Sequence, residues 1–214
     1  MITTAEFKRQ IGQNFRQAMK DLGFKGSGFD YVQETKDFLF SVFISPSRWG
    51  EQCSVGLAIH PKQITRNNTG DLNLKKLKNY QYEFKFSLSP VAREETWDYK
   101  HTADENLSIV REMIEVIKNR ALPIIDNFKK DKNLLDEFTV NDLDNFHEKF
   151  TGRTGISIGT TDTRFAWAMA VIYEDRNLTK AQAFAEYVLS RPKTSANFFG
   201  KTDFERILSK NNAA

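Results

Sequence analysis

The densest group of side chains able to do chemistry is Glu94, Glu95, Asp98 and His101. Carboxylates beside an imidazole are what a divalent metal or an acid–base pair requires. On a helix, Glu94, Asp98 and His101 would share one face. Trp97 and Tyr99 favour extended structure instead, where alternation separates the group. The spacing therefore predicts a solvated strand end. A hydrolase or metal-dependent enzyme built on these four residues is the alternative.

The remaining reactive residues are less organised. His60 and His147 complete the histidines, and His147-Glu148 lacks the second histidine of a zinc-protease helix. Cys53 opens an alternating apolar run and reads as a small buried hydrophobe, since a nucleophile needs exposure and a neighbouring base. Gly23-Phe24-Lys25-Gly26-Ser27-Gly28 has glycines at the wrong spacing for a phosphate loop and follows a helix, so it reads as a helix stop. Asp142-x-Asp144 lacks the glycine and distal glutamate of a calcium loop. Asn67, Asn106 and Asn177 open sequons that matter only in a secreted chain. Walker, nucleophile-elbow and Rossmann signatures are absent from the sequence. No catalytic residue, metal or cofactor is expected.

Two aromatic features point to binding. Arg48-Trp49 lies between two predicted strands and joins the residue types most frequent among binding hot spots. Phe198-Phe199 precedes the last helix. Either these fold back onto the core or they mark a protein-binding surface. The positive excess sits at 62–85, where Lys62, Arg66, Lys75, Lys76, Lys78 and Lys85 face only Asp71 and Glu83. Nucleic-acid binders show a denser stripe, so weak nucleic-acid binding through Lys62, Arg66, Lys75, Lys76 and Lys78 is a second alternative.

The elements that must position these residues follow from periodicity. Thr3-x-x-Glu6 is a capping box, and Phe7, Ile11, Phe15, Met19 and Leu22 form a helical stripe. Alternation predicts strands from Phe29 to Val32, Phe38 to Ser45, Cys53 to Ile59 and Tyr80 to Leu88, with one apolar and one polar face. A helix is expected from Asp104 to Phe128, kinked near Leu122 by Pro123. Thereafter the pattern is helical. Thr139 is expected to cap a helix carrying Val140, Leu143, Phe146 and Phe150, and Phe165 to Tyr173 reads as a helix buried on several sides. Capping boxes at Thr179 and Thr202 predict the last two helices. Trp167, Ala183 and Tyr187 match a tetratricopeptide unit loosely, but one pair makes no solenoid.

The chain has 214 residues, net charge +3, 40% hydrophobic and 28% charged residues, and one cysteine. That balance describes an ordinary globular chain without a disulfide framework. The first residues lack the apolar block of a signal peptide, and the longest apolar run is too short for a bilayer, so a cytoplasmic protein without membrane partner is expected.

The segment Phe15 to Gly28, the strand Phe38 to Ser45, Ser47-Arg48-Trp49-Gly50, the strand Cys53-Ser54-Val55-Gly56-Leu57 and Ala121-Leu122-Pro123 resemble a bacterial family, domain-of-unknown-function family 4304. The resemblance implies a bacterial α+β domain and carries no catalytic residues.

The expected fold is α+β: an antiparallel sheet of four or five strands over 1–130 with helices on one face, then a helical extension over 131–214 packed on it as one compact unit. An internal boundary is expected at the Gly/Thr-rich stretch 152–160. The expected function is a non-enzymatic protein-binding module with Arg48, Trp49, Phe198 and Phe199 as its surface, an immunity-type toxin inhibitor being one form. A protein partner is expected, nucleic acid is not, and the chain is read as a monomer or weak dimer.

Overall fold

The computed structural model describes residues 2–67, 70–88, 96–130, 134–191 and 200–210. The chain opens with α1 (Thr4–Asp21), held at its start by the predicted capping box between Thr3 and Glu6. Its buried stripe is Phe7, Ile11, Phe15 and Met19. Strands β1 (Lys25–Ser27), β2 (Asp30–Glu34), β3 (Phe38–Pro46) and β4 (Gln52–Pro61) follow, then a small hairpin of β5 (Arg66–Asn67) and β6 (Gly70–Asp71). After two short 3-10 turns come β7 (Phe84–Leu88) and β8 (Trp97–Asp98). The main sheet is antiparallel in the order β1-β2-β3-β4-β7, with β8 also paired to β4. The fold is thus the expected α+β class.

One face of the sheet lies under the helices. Phe38, Phe40, Val42 and Ile44 of β3 and Cys53, Val55, Leu57 and Ile59 of β4 alternate into that core, as period two requires. It is covered by α1 and by α2 (Ala103–Val116), which passes through a π-helical turn at Ile117–Ala121 into α3 (Leu122–Phe128). The turn lies where a kink was expected. Pro123 offers no N–H to the carbonyl of Asn119 and its ring crowds that group, so the backbone widens one turn earlier.

The opposite face is not simply polar, which corrects the sequence reading. Leu39, Ala58 and Tyr82 form a second small cluster with Phe43, Leu74 and Leu77 packed on it. Gly56 is needed here, because a Cβ would meet the Phe43 ring at 2.4 Å. Residues 72–82 strap this face, pinned by hydrogen bonds from Ser41 Oγ to Asn79 Oδ1 (3.0 Å) and from Asn79 Nδ2 to Asp30 Oδ1 (2.6 Å).

The predicted strand from Tyr80 is correspondingly shorter. Residues Asn79–Gln81 form a 3-10 turn and the strand begins at Phe84. Tyr82 packs on the strapped face, whereas Phe84, Phe86 and Leu88 enter the main core. The chain changes face at Glu83, whose carboxylate is fully buried and receives Arg164 Nε at 2.7 Å and Nη2 at 3.2 Å. Gly26-Ser27 also forms part of a strand where only a helix stop is expected from the sequence.

The C-terminal part carries α4 (Phe146–Thr154), α5 (Asp162–Tyr173), α6 (Leu178–Ser190) and α7 (Lys201–Ser209). Thr139 does cap, but it caps a 3-10 turn at Val140–Asp142, and the α-helix starts only at Phe146. Asn177, not Thr179, caps α6, and Gln182 instead donates to the carbonyls of Ile207 (3.3 Å) and Lys210 (2.9 Å) at the end of α7. Gly200 in the left-handed region starts α7, and Thr202 caps nothing. Rings of Phe138, Phe146, Phe150 and Phe165 pack together, and Phe84 and Phe86 of β7 meet Phe165 and Phe150. At the 152–160 stretch, Gly159 N donates to Lys85 O (2.8 Å) and Thr160 Oγ1 to Glu83 O (2.6 Å).

Removing Arg164, itself half-buried, leaves the fully buried Glu83 carboxylate without its guanidinium. Arg164→Met is expected to cost about 3–5 kcal/mol of unfolding free energy, and adding Glu83→Leu to recover much of it. Urea denaturation of the two single variants and the double variant measures this. A double variant as unstable as Arg164→Met would show that packing, not charge, sets the loss.

Candidate functional site

The hairpin joining β3 to β4 presents the most exposed large apolar side chain among the described residues: Trp49 is 80% accessible. Why the loop takes one shape is readable from its hydrogen bonds. Ser47 N donates to Gln52 O (2.8 Å), Gly50 N to Ser47 O (3.0 Å) and Gln52 N to Gly50 O (2.7 Å). The Ser47 hydroxyl accepts from Trp49 N at 3.2 Å, a local turn motif that serine favours. Gly50 (φ 77°) and Glu51 (φ 66°) both sit in the left-handed region. Glu51 is the one non-glycine residue with positive φ among those described, a conformation that persists only when its surroundings hold it.

Those surroundings are β8. It pairs Gln52 with Asp98 and Cys53 with Trp97, Tyr99 N donates to Glu51 O (2.6 Å), and Gln52 Nε2 donates to Asp98 Oδ1 (2.9 Å). Tyr99 stacks on Phe7 of α1 with ring centroids 4.1 Å apart. The base of the hairpin is therefore clamped to the helix layer while its tip stands in solvent. At the tip the Arg48 guanidinium lies 5.0 Å from the Trp49 ring centroid, a cation–π geometry. Among the described residues Arg48 has no carboxylate partner. This arrangement presents an indole and a guanidinium side by side to solvent, which suits recognition.

The other sequence-selected residues are dispersed. Glu94 and Glu95, and likewise Phe198 and Phe199, lie outside the described residues. Asp98 is on β8 and serves the hairpin clamp, while His101 is exposed at the bend before α2. Among the described residues no three His, Cys, Asp or Glu side chains are grouped to hold a metal. Lys62 is tied to Glu34 and to Thr35 O (2.6 Å), and Arg66 pairs with Asp203 of α7. Lys75, Lys76 and Lys78 are exposed on the strap. Sequence reasoning missed Tyr80, 72% exposed beside those lysines, and the buried Asp203, which also accepts from Trp167 Nε1 (3.1 Å) and Arg206 (3.0 Å). Neither has a local signal, since alternation makes Tyr80 look like core and Asp203 follows a threonine that looks like a cap.

Cys53 is buried and its thiol is pushed up to about 12 by desolvation, which keeps it protonated and unreactive. His60 is also buried. Its Nε2 bonds to Ile64 O (2.8 Å) and its Nδ1 has no partner, so the ring is neutral with the proton on Nε2. No described helix is long and apolar enough to cross a membrane.

Two measurements follow. Trp97 and Trp167 are buried, so acrylamide should quench a red-shifted emission component that Trp49→Phe removes without altering the unfolding midpoint. A midpoint lowered by several degrees would mean that the indole packs on the fold. Burial also holds the His60 imidazole below its ordinary value of 6.5. The unfolded chain takes up that proton below about pH 6.5 while the native state resists it, so this residue's contribution is complete above that pH and is lost on acidification. The fall in unfolding free energy from pH 7 to 5 should be shallower in His60→Phe, and an unchanged slope would contradict the assignment.

The region from the later turns of α1 to the end of α3 has a counterpart: residues 15–127 match the family model described as Domain of unknown function (DUF4304). No curated protein and no solved structure matches the chain.

Proposed function

The chain belongs to the family Domain of unknown function (DUF4304), and we propose that it is a protein-binding module whose contact centre is the Arg48-Trp49 tip. The observation that carries this is an 80% exposed tryptophan on a turn that backbone hydrogen bonds and β8 already hold in place. An exposed indole adds little to the stability of its own fold, whereas burying it in a complex removes a large apolar area from water. Pre-ordering the loop lowers the entropy that association would cost.

The indole fits an apolar cleft on a protein surface, and the Arg48 guanidinium fits a carboxylate at the rim of that cleft. Asp98 acts as a positioning residue through Gln52. Neither the Trp49 indole nor the Arg48 guanidinium makes or breaks bonds, and the reading is non-enzymatic.

The test is a tagged pull-down from host lysate with Trp49→Ala and Arg48→Glu run in parallel. A stoichiometric protein retained by the native chain and lost by both variants is the expected result. Trp49→Ala should weaken the isolated complex by at least about 2 kcal/mol, some thirtyfold in Kd. A partner retained equally by native chain and variants would place the contact elsewhere and overturn the reading.

A further inference from the structure

A groove runs along the outer face of α1 where the turn between β1 and β2 leans against it. Its volume is about 720 Å³, and it is lined by Lys8, Arg9, Gly12, Gln13 and Arg16 of α1, with Ser27 at the end of β1 and Gly28 of the turn. Lys8, Arg9, Gly12, Gln13 and Arg16 follow the spacing that places side chains on one side of a helix. Three cations therefore border one concavity, Arg16 beside the Tyr31 hydroxyl, and among the described residues none of them is in an ion pair. Glu6, the carboxylate whose charge feels Arg9, is already committed to the N-cap, where it accepts from Thr3 N (2.7 Å) and Thr3 Oγ1 (2.8 Å). Lys8 Nζ is held 5.0 Å from the Phe29 ring centroid, at the groove wall.

Gly12 is the second observation. It lies in the interior of an eighteen-residue helix, where glycine costs stability relative to alanine. Nothing packs close enough to require it, because a Cβ built there meets no atom within 4 Å. What a side chain at this position would occupy is the floor of the groove. The glycine keeps that floor open between Lys8 and Arg9 on one side and Arg16 on the other.

We infer that this groove binds a small, multiply charged anion of the phosphate class. Lysine and arginine together supply the point charge and the forked donors that phosphate oxygens accept. The volume is that of a small-molecule site, and the cations extend over only about 12 Å of helix, from Lys8 to Arg16. A nucleic-acid strand or a membrane surface would call for a longer basic stripe. The site is independent of the tip of the β3–β4 hairpin and of the partner proposed for it.

Isothermal titration with inorganic pyrophosphate at constant ionic strength tests this on the full chain. The native chain should bind, with affinity falling as salt rises. Arg9→Ala/Arg16→Ala should bind at least about tenfold more weakly. Gly12→Leu should raise the unfolding midpoint in the absence of anion and abolish binding, a combination that general destabilisation would not produce. Absence of pyrophosphate binding, or equal binding by native chain and both variants, would overturn the inference. So would a response confined to single-stranded oligonucleotide or to vesicles containing phosphatidic acid.

Discussion

The chain crosses from one face of its sheet to the other at a single residue, and the crossing depends on a buried charge. Glu83 would be among the costliest side chains to bury alone. Arg164 makes it tolerable by approaching with two nitrogens, and Thr160 takes the backbone carbonyl of the same residue. Because Arg164 belongs to α5, this pairing fixes where the C-terminal helices meet β7. The Phe84 and Phe86 rings can then enter the aromatic cluster of Phe138, Phe146, Phe150 and Phe165. Apolar packing supplies the bulk of the stabilisation, but it is non-directional. The ion pair supplies register.

The same residue explains what the sequence could and could not disclose. The cap at Thr3, the stripe of α1, the alternation of β3 and β4 and the disturbance before Pro123 are all encoded within a few residues, and all were legible. The alternation from Tyr80 onward was equally regular and misled, because the switch of face comes from Arg164, eighty-one positions away in the chain. Thr179 and Thr202 looked like caps for the same local reason, yet Asn177 lies nearer the start of α6 and Asp203 is drawn inward by Arg66 and Trp167. At the candidate site, residue type singled out Arg48 and Trp49. Their exposure was not legible, since it depends on β8 clamping the base and leaving the tip uncovered.

That clamp also bears on the grouping of features at one end of the sheet. Ile44 N donates to Phe29 O at 2.8 Å, so the β1–β2 turn lies beside the end of β3 from which the hairpin projects. Tyr99, stacked on Phe7, ties the hairpin base to the first turns of α1. The short loops and the start of α1 thus carry polar and aromatic groups that the core does not consume. The opposite, strapped face spends its polar groups on itself, with Asn79 bonded to both Ser41 and Asp30. Its exposed lysines stand on a segment whose inward side chains are already engaged.

The bridge between Phe86 and Ile158, continued by the bond from Gly159 to Lys85, has a consequence for how the chain meets copies of itself. An unpaired strand edge is a template for strand addition and for fibril seeding. Here the outer edge of β7 is occupied by an irregular segment of the same chain, and β8 takes the adjoining stretch of β4. The far edge is β1, three exposed residues with a glycine at its centre, too short to template a ladder. Peeling residues 156–160 from β7 would therefore be the step that converts a self-limited sheet into one open to propagation.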